Sequence, residues 1–80
     1  MAKSIYTPQQ ERLQALLRQV RVAAGLRQVD MAKRLGRPQS YVSKYEAGER
    51  RLDLLEIRQI CAAAGISLTD FVSRLEDILR

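Results

Sequence analysis

The sequence predicts an all-α fold of five short helices, and three observations carry the prediction. Apolar residues recur at three- and four-residue spacing, Gly and Pro punctuate those stripes at their ends, and no sustained period-two alternation marks a strand. Eighty residues, 46% hydrophobic and 29% charged, suffice for one compact domain over 1–80 and not for two. Helices this short are marginal alone, so the stability must come from packing their apolar faces around a shared core.

The first helix opens at Thr7-Pro8-Gln9-Gln10. Thr7 caps it, Pro8 sits in the first turn where its missing N–H is harmless, and Gln10 completes a capping box. Leu13, Leu16, Leu17, Val20 and Ala24 line its inner face, and Gly25 ends it. Residues 1–6 read as a flexible tail. The second helix runs from Gln28 to Leu35, with Met31, Ala32 and Leu35 inward and Gly36 just past its end. The third begins at Pro38 or Gln39 and continues to Ala47, where Gly48 stops it. Its inward residues are Val42 and Tyr45, which leaves Gln39, Ser40, Tyr41, Ser43 and Lys44 off the core. Asp53 and Glu56 form a capping box before Leu54, Ile57, Ile60, Cys61 and Ala64, closed by Gly65. Ser67 and Asp70 open the last helix, 68–79, whose apolar stripe is Leu68, Phe71, Val72, Leu75, Ile78 and Leu79.

Composition narrows the function classes. The single cysteine, Cys61, forms no intramolecular disulfide and lies on an inward stripe, as a small apolar residue would. Histidine is absent, which removes the commonest general base and metal ligand, so neither a cofactor nor a metal is expected. Ser40 and Lys44 stand one turn apart, but neither an oxyanion site nor a substrate pocket accompanies them. No catalytic residue is assigned, and an enzyme is the weakest reading. The amino terminus has no signal-peptide pattern, and the longest apolar run, residues 60–66, is far too short to span a bilayer. A cytoplasmic protein without a membrane partner is the expectation.

The net charge of +5 is unevenly placed: residues 1–51 carry +7 and residues 52–80 carry −2. One pole suits a polyanion and the other something else. The second helix, a turn around Gly36 and the third helix over 28–47 form a helix-turn-helix, which can lay its second helix in the DNA major groove. The first turn of that helix comes closest to the base edges, and Gln39 and Ser40 stand there. A glutamine amide matches adenine N6 and N7, Lys44 carries donors for guanine O6 and N7, and Tyr41 can reach a thymine methyl or a phosphate.

The stretch LRQVDMAKRLGRPQSYVSKYEAGERRLD, preceded by QVRVAAG and followed by EIRQICAAAGISL, resembles the Xre type of helix-turn-helix domain, the group of lambda repressor and Cro. Gln28, Ala32, Leu35-Gly36, Gln39-Ser40, Val42-Ser43, Glu46 and Gly48 fall at family spacing over roughly residues 10–68. The resemblance implies a compact, five-helix, lambda-repressor-like domain of a bacterium, phage or plasmid. It also implies double-stranded DNA as partner and a role in transcription regulation, as repressor, restriction-modification controller or antitoxin-like autoregulator. By the same resemblance Gln28 bonds a phosphate and braces Gln39; Gln39, Ser40 and Lys44 face bases, with Tyr41 at the edge; and Ser43 lies nearer the backbone. Arg50 and Arg51, in the following loop, contact phosphates, and Arg27 and Arg37 join them through proximity to the two helix starts. Losing a phosphate contact such as Arg50 should weaken binding to all sequences alike. Arg21 and Glu46 are implied to face each other as a structural ion pair between the first and third helices. The chain departs from the family where Arg27 and Pro38 replace the usual Ser or Thr caps.

The stripe Leu68, Phe71, Val72, Leu75, Ile78 and Leu79 exceeds what a small domain can cover, and it suggests a homodimer on a palindromic operator. The alternative is a protein-interaction module on the same scaffold, which binds a protein partner in the manner of an antitoxin.

Overall fold

The computed structural model describes residues 7–80; the segment read as a tail lies outside them. Five helices follow in order: α1 (Pro8–Ala23), α2 (Gln28–Leu35), α3 (Gln39–Ala47), α4 (Leu54–Ala64) and α5 (Leu68–Leu79).

Local chemistry accounts for the boundaries. Thr7 Oγ1 accepts from the Gln10 N–H at 3.1 Å and starts α1. At α4 the box is reciprocal: the Glu56 N–H donates to Asp53 Oδ1 at 2.8 Å and the Asp53 N–H to Glu56 Oε1 at 2.9 Å. Ser67 Oγ accepts from the Asp70 N–H at 3.0 Å and starts α5. The two starts without a capping oxygen differ from each other. At α2, Asp30 reaches back to accept from the Arg27 N–H at 2.9 Å, while at α3 Pro38 leaves the first turn without a side-chain cap. At the other end of α3, Gly48 has φ +82°, and a Cβ there would lie 2.6 Å from Gln14 Nε2 of α1. The left-handed backbone favours glycine, and any side chain there would also have to displace the end of Gln14.

The core joins Leu16, Leu17 and Val20 of α1, Met31 and Ala32 of α2, and Tyr41, Val42 and Tyr45 of α3 to Ile60 and Cys61 of α4 and Phe71 of α5. α2 packs on α3 and α4, and α1 lies against α3, α4 and α5. Outside α3, three assignments of the sequence pattern need correction. Ala24 lies beyond the last turn of α1 and is exposed. Leu54 occupies the first position of α4, where the helix has not yet reached the core, and it is 63% exposed. Phe71, assigned to an interface, is buried in the core at 1% exposure, because it is the one α5 side chain that fully enters the space between α1 and α4.

Arginines tie the elements from outside. Arg12 Nη1 donates to the Ile78 carbonyl at 3.2 Å, joining α1 to the end of α5. Arg34 Nη1 donates to the Ala63 carbonyl at 2.8 Å, joining α2 to the end of α4. Cys61 is buried and unpaired, and burial pushes its thiol pKa up. Among the described residues there is no metal-binding cluster and no helix long and apolar enough to cross a membrane.

Candidate nucleic-acid interface

The helical rotation of 100° per residue sorts the side chains of α3 into two arcs. Tyr41, Val42 and Tyr45 point into the core, while Gln39, Ser40, Ser43, Lys44 and Ala47 are exposed on one continuous outer arc of about 140°. Gln39 and Ser43, like Ser40 and Lys44, stand one turn apart. This outer arc therefore presents two amides or hydroxyls near the amino end and an ammonium one turn further along.

Behind α3 lies a charged brace. Arg21 Nε and Nη2 grip the Glu46 carboxylate at 2.7 and 3.1 Å, and Arg21 Nη1 donates to the Leu26 carbonyl at 2.8 Å. Gln28 Nε2 donates to the same carboxylate at 3.1 Å. The arginine and glutamate side chains are only 10% and 5% exposed. The hydrogen bond that Arg21 donates to Glu46 raises the Arg21 pKa against the opposing effect of burial. α1 and α2 thus meet at one carboxylate of α3, and Arg21 ties the loop after α1 to the same cluster. The hydrogen bond of Gln28 runs to Glu46, which corrects the expectation that it braces Gln39.

Tyr41 is the main correction at the site. It is buried, at 8% exposure, and its ring meets Tyr45 edge-on with centroids 5.5 Å apart. The Arg37 and Arg50 guanidinium carbons lie 4.5 and 4.9 Å from the Tyr41 ring centroid, within cation–π range. The hydroxyl stands 3.5 Å from Glu56 Oε2, which also accepts from Arg50 Nη2 at 2.5 Å. Burial raises the Tyr41 pKa, while the Asp53 N–H, followed by Arg50, holds the Glu56 carboxyl below its ordinary value. The sequence did contain the signal: Tyr41 is one turn from Tyr45 and so shares its inward face. Glu56 was assigned only as a helix cap; its second oxygen reaches a loop that no local pattern connects to it.

Arg27 closes on Asp30, with its Nε and Nη2 each 3.0 Å from a carboxylate oxygen, and stays 77% exposed. Arg37 and Arg51 are exposed beside α3 and in the loop after it.

A family model and solved structures place this chain among known proteins. A family model described as helix-turn-helix matches residues 17–71. An XRE-family like protein from Pseudomonas syringae pv. tomato str. DC3000 is 42% identical over 98% of this chain and 95% of its own, with a TM-score of 0.85. The restriction-modification controller protein C.Esp1396I shares the fold at 21% identity, over 92% of this chain and 99% of its own, with a TM-score of 0.82. The same controller, solved as a tetramer in complex with its natural 35 base-pair operator, gives a TM-score of 0.81 at 21% identity over the same shares of the two chains. No curated protein matches the chain.

Proposed function

The chain belongs to the Xre-type helix-turn-helix family, and on that premise we propose that it is a sequence-specific DNA-binding transcriptional regulator that reads the major groove with α3. The observation that carries the reading is the outer arc of α3. Gln39, Ser40 and Lys44 lie on it with their side chains outward, backed by a buried face that fixes the orientation of the helix. These three face bases. Ser43, Arg37, Arg51 and Arg27 flank them toward phosphates, and Gln28 has a second amide hydrogen to offer beyond the one held by Glu46. The uncapped first turn of α3 adds backbone N–H groups favourable to a phosphate. Tyr41 serves from beneath, as a platform for Arg37 and Arg50. The controller protein, a fold neighbour, is solved in complex with its natural operator, which supports a DNA-binding reading of this fold.

Dimerisation completes the reading. Val72 and Ile78 stay 40% and 38% exposed on α5, with Leu68, Leu75 and Leu79 half-buried beside them. A second copy covering this stripe would set two α3 helices about 34 Å apart, one turn of duplex, and so require a palindromic operator. Selection from random duplexes tests both parts at once: an enriched palindrome is expected, and no enriched motif at moderate salt overturns the reading. Within the selected site, Gln39→Ala should relax preference at one base pair by about 1–3 kcal/mol, whereas Arg37→Gln should weaken all sequences nearly uniformly. The reverse pattern would reassign both residues.

A further inference from the structure

The outer arc of α3 has two edges. Lys44 lies at one, and just beyond it comes Tyr41 with Arg37 over its ring. Gln39 and Ser43 lie at the other, and on that side an open cleft runs between α1, α2 and α3, lined by Arg18, Arg21, Gln28, Ser43, Glu46 and Ala47. The floor of the cleft is already neutral. Glu46 Oε2 accepts from Arg21 Nε, and Oε1 accepts from Arg21 Nη2 and Gln28 Nε2, so Arg21 has no charge to spare. Arg18 stands one turn before Arg21 on α1, is exposed, and has no hydrogen-bond or ion-pair partner among the described residues. Arg27 and Arg50, by contrast, are closed on Asp30 and Glu56. Arg18 thus brings an uncommitted cation to the edge of α3 opposite Arg37.

We propose that Arg18 binds a phosphate of the DNA backbone, in a cleft where the second amide hydrogen of Gln28 and the Ser43 hydroxyl join it, one donor from each of three helices. The inference rests on the DNA-binding reading above and adds to it a residue outside both the helix-turn-helix and the loop that follows. A helix in the major groove, about 12 Å wide, runs between the phosphates of two strands. A cation on one edge of its outer arc would draw it toward one strand; Arg37 and Arg18 on opposite edges hold it between the two. An incoming phosphate displaces only water and counterions from Arg18, because no internal ion pair has to open. The contact carries affinity and register and leaves the choice of bases to Gln39, Ser40 and Lys44.

Binding to the selected operator and to a random duplex of equal length is measured over a salt series for wild type, R18Q, R18K and R74Q. Arg74 lies on α5, which packs on α1 and α4, so R74Q removes the same charge away from α3. Arg18→Gln should melt with the wild type, because the side chain is exposed. It should lower affinity for both duplexes about five- to ten-fold near 0.1 M salt and make the salt slope shallower by about one. R18K should restore the slope, and R74Q should leave it in place. Ethylation of single operator phosphates locates the contact: one phosphate per half-site should weaken the wild type when ethylated and no longer weaken R18Q. Equal slopes for R18Q and R74Q, or an ethylation pattern unchanged in R18Q, overturns the proposal and leaves the reading of α3 standing. A wild type that binds without selecting a motif overturns sequence specificity, and the salt series on the random duplex then decides Arg18. A wild type that binds no duplex overturns the DNA-binding reading and this inference with it.

Discussion

Arg21 shows how one side chain can set the position of a proposed recognition surface it never touches. Its guanidinium holds Glu46 in a two-point grip and fixes the Leu26 carbonyl, and Glu46 in turn receives Gln28. Removing one partner leaves a charge in a nearly closed environment. Arg21→Met should therefore lower stability by about 3–5 kcal/mol in urea denaturation. The double variant R21M/E46M should recover much of the loss, since two apolar side chains of similar length can fill the space of the pair. A double variant less stable than R21M would contradict this account. At the same scale, Tyr41 shows why single residues were the hardest to place from sequence. A phenol on a recognition helix suits a base contact as well as a core position, and only the one-turn spacing to Tyr45 separates the two. The partnership of Glu56 with Arg50 was less accessible still, because it depends on where the loop between α3 and α4 folds back.

Elements were far more legible, because their ends are written in short-range chemistry. Thr7, Asp53 and Ser67 each accept the bond their capping pattern anticipates, and α2, α3 and α5 fall on the spans their apolar spacing predicts. The starts of α2 and α3 lack such a cap; at α2 Arg27 supplies no capping oxygen, and Asp30, one turn inside, serves both the Arg27 backbone and its side chain. The Arg27 guanidinium, then its backbone N–H, lowers the Asp30 pKa to about 2. An unfolded aspartate titrates near about 4. The pair thus contributes stability in full above that value and loses it as pH falls through about 2. The stability difference between wild type and Asp30→Asn should be constant near neutrality and should shrink between about pH 4 and pH 2. An unchanged difference across that window would exclude Asp30 as the group responsible.

On the scale of the whole molecule, charge divides along the chain, +7 over residues 1–51 and −2 over residues 52–80, and α5 with its exposed Val72 and Ile78 belongs to the acidic part. Charge placed at those two positions should act on association alone. V72D/I78D should melt as a monomer within a degree or two of wild type, since both positions are substantially exposed. It should lose concentration-dependent sedimentation and the tight binding of a full palindrome, while keeping weak binding to a half-site. Full-palindrome affinity equal to wild type would exclude α5 as the pairing surface. The surface proposed for self-pairing was only partly visible in the sequence. Its six-residue stripe was correctly seen as apolar, but the split between Phe71, consumed by the core, and Val72, left outside, depends on the angle at which α5 meets α1 and α4.

The ties that Arg12 and Arg34 make to carbonyls of Ile78 and Ala63 reach beyond these two contacts. A gene recoded with lysine at every arginine codon would yield a polypeptide of unchanged net charge, yet an ammonium lacks the planar fork that lets Arg21 serve Glu46 and Leu26 together. Such a variant would attract polyanions from a distance as before and come apart at the seams between its helices. Long-range attraction and cohesion, carried here by the same residue type, answer to different properties of it.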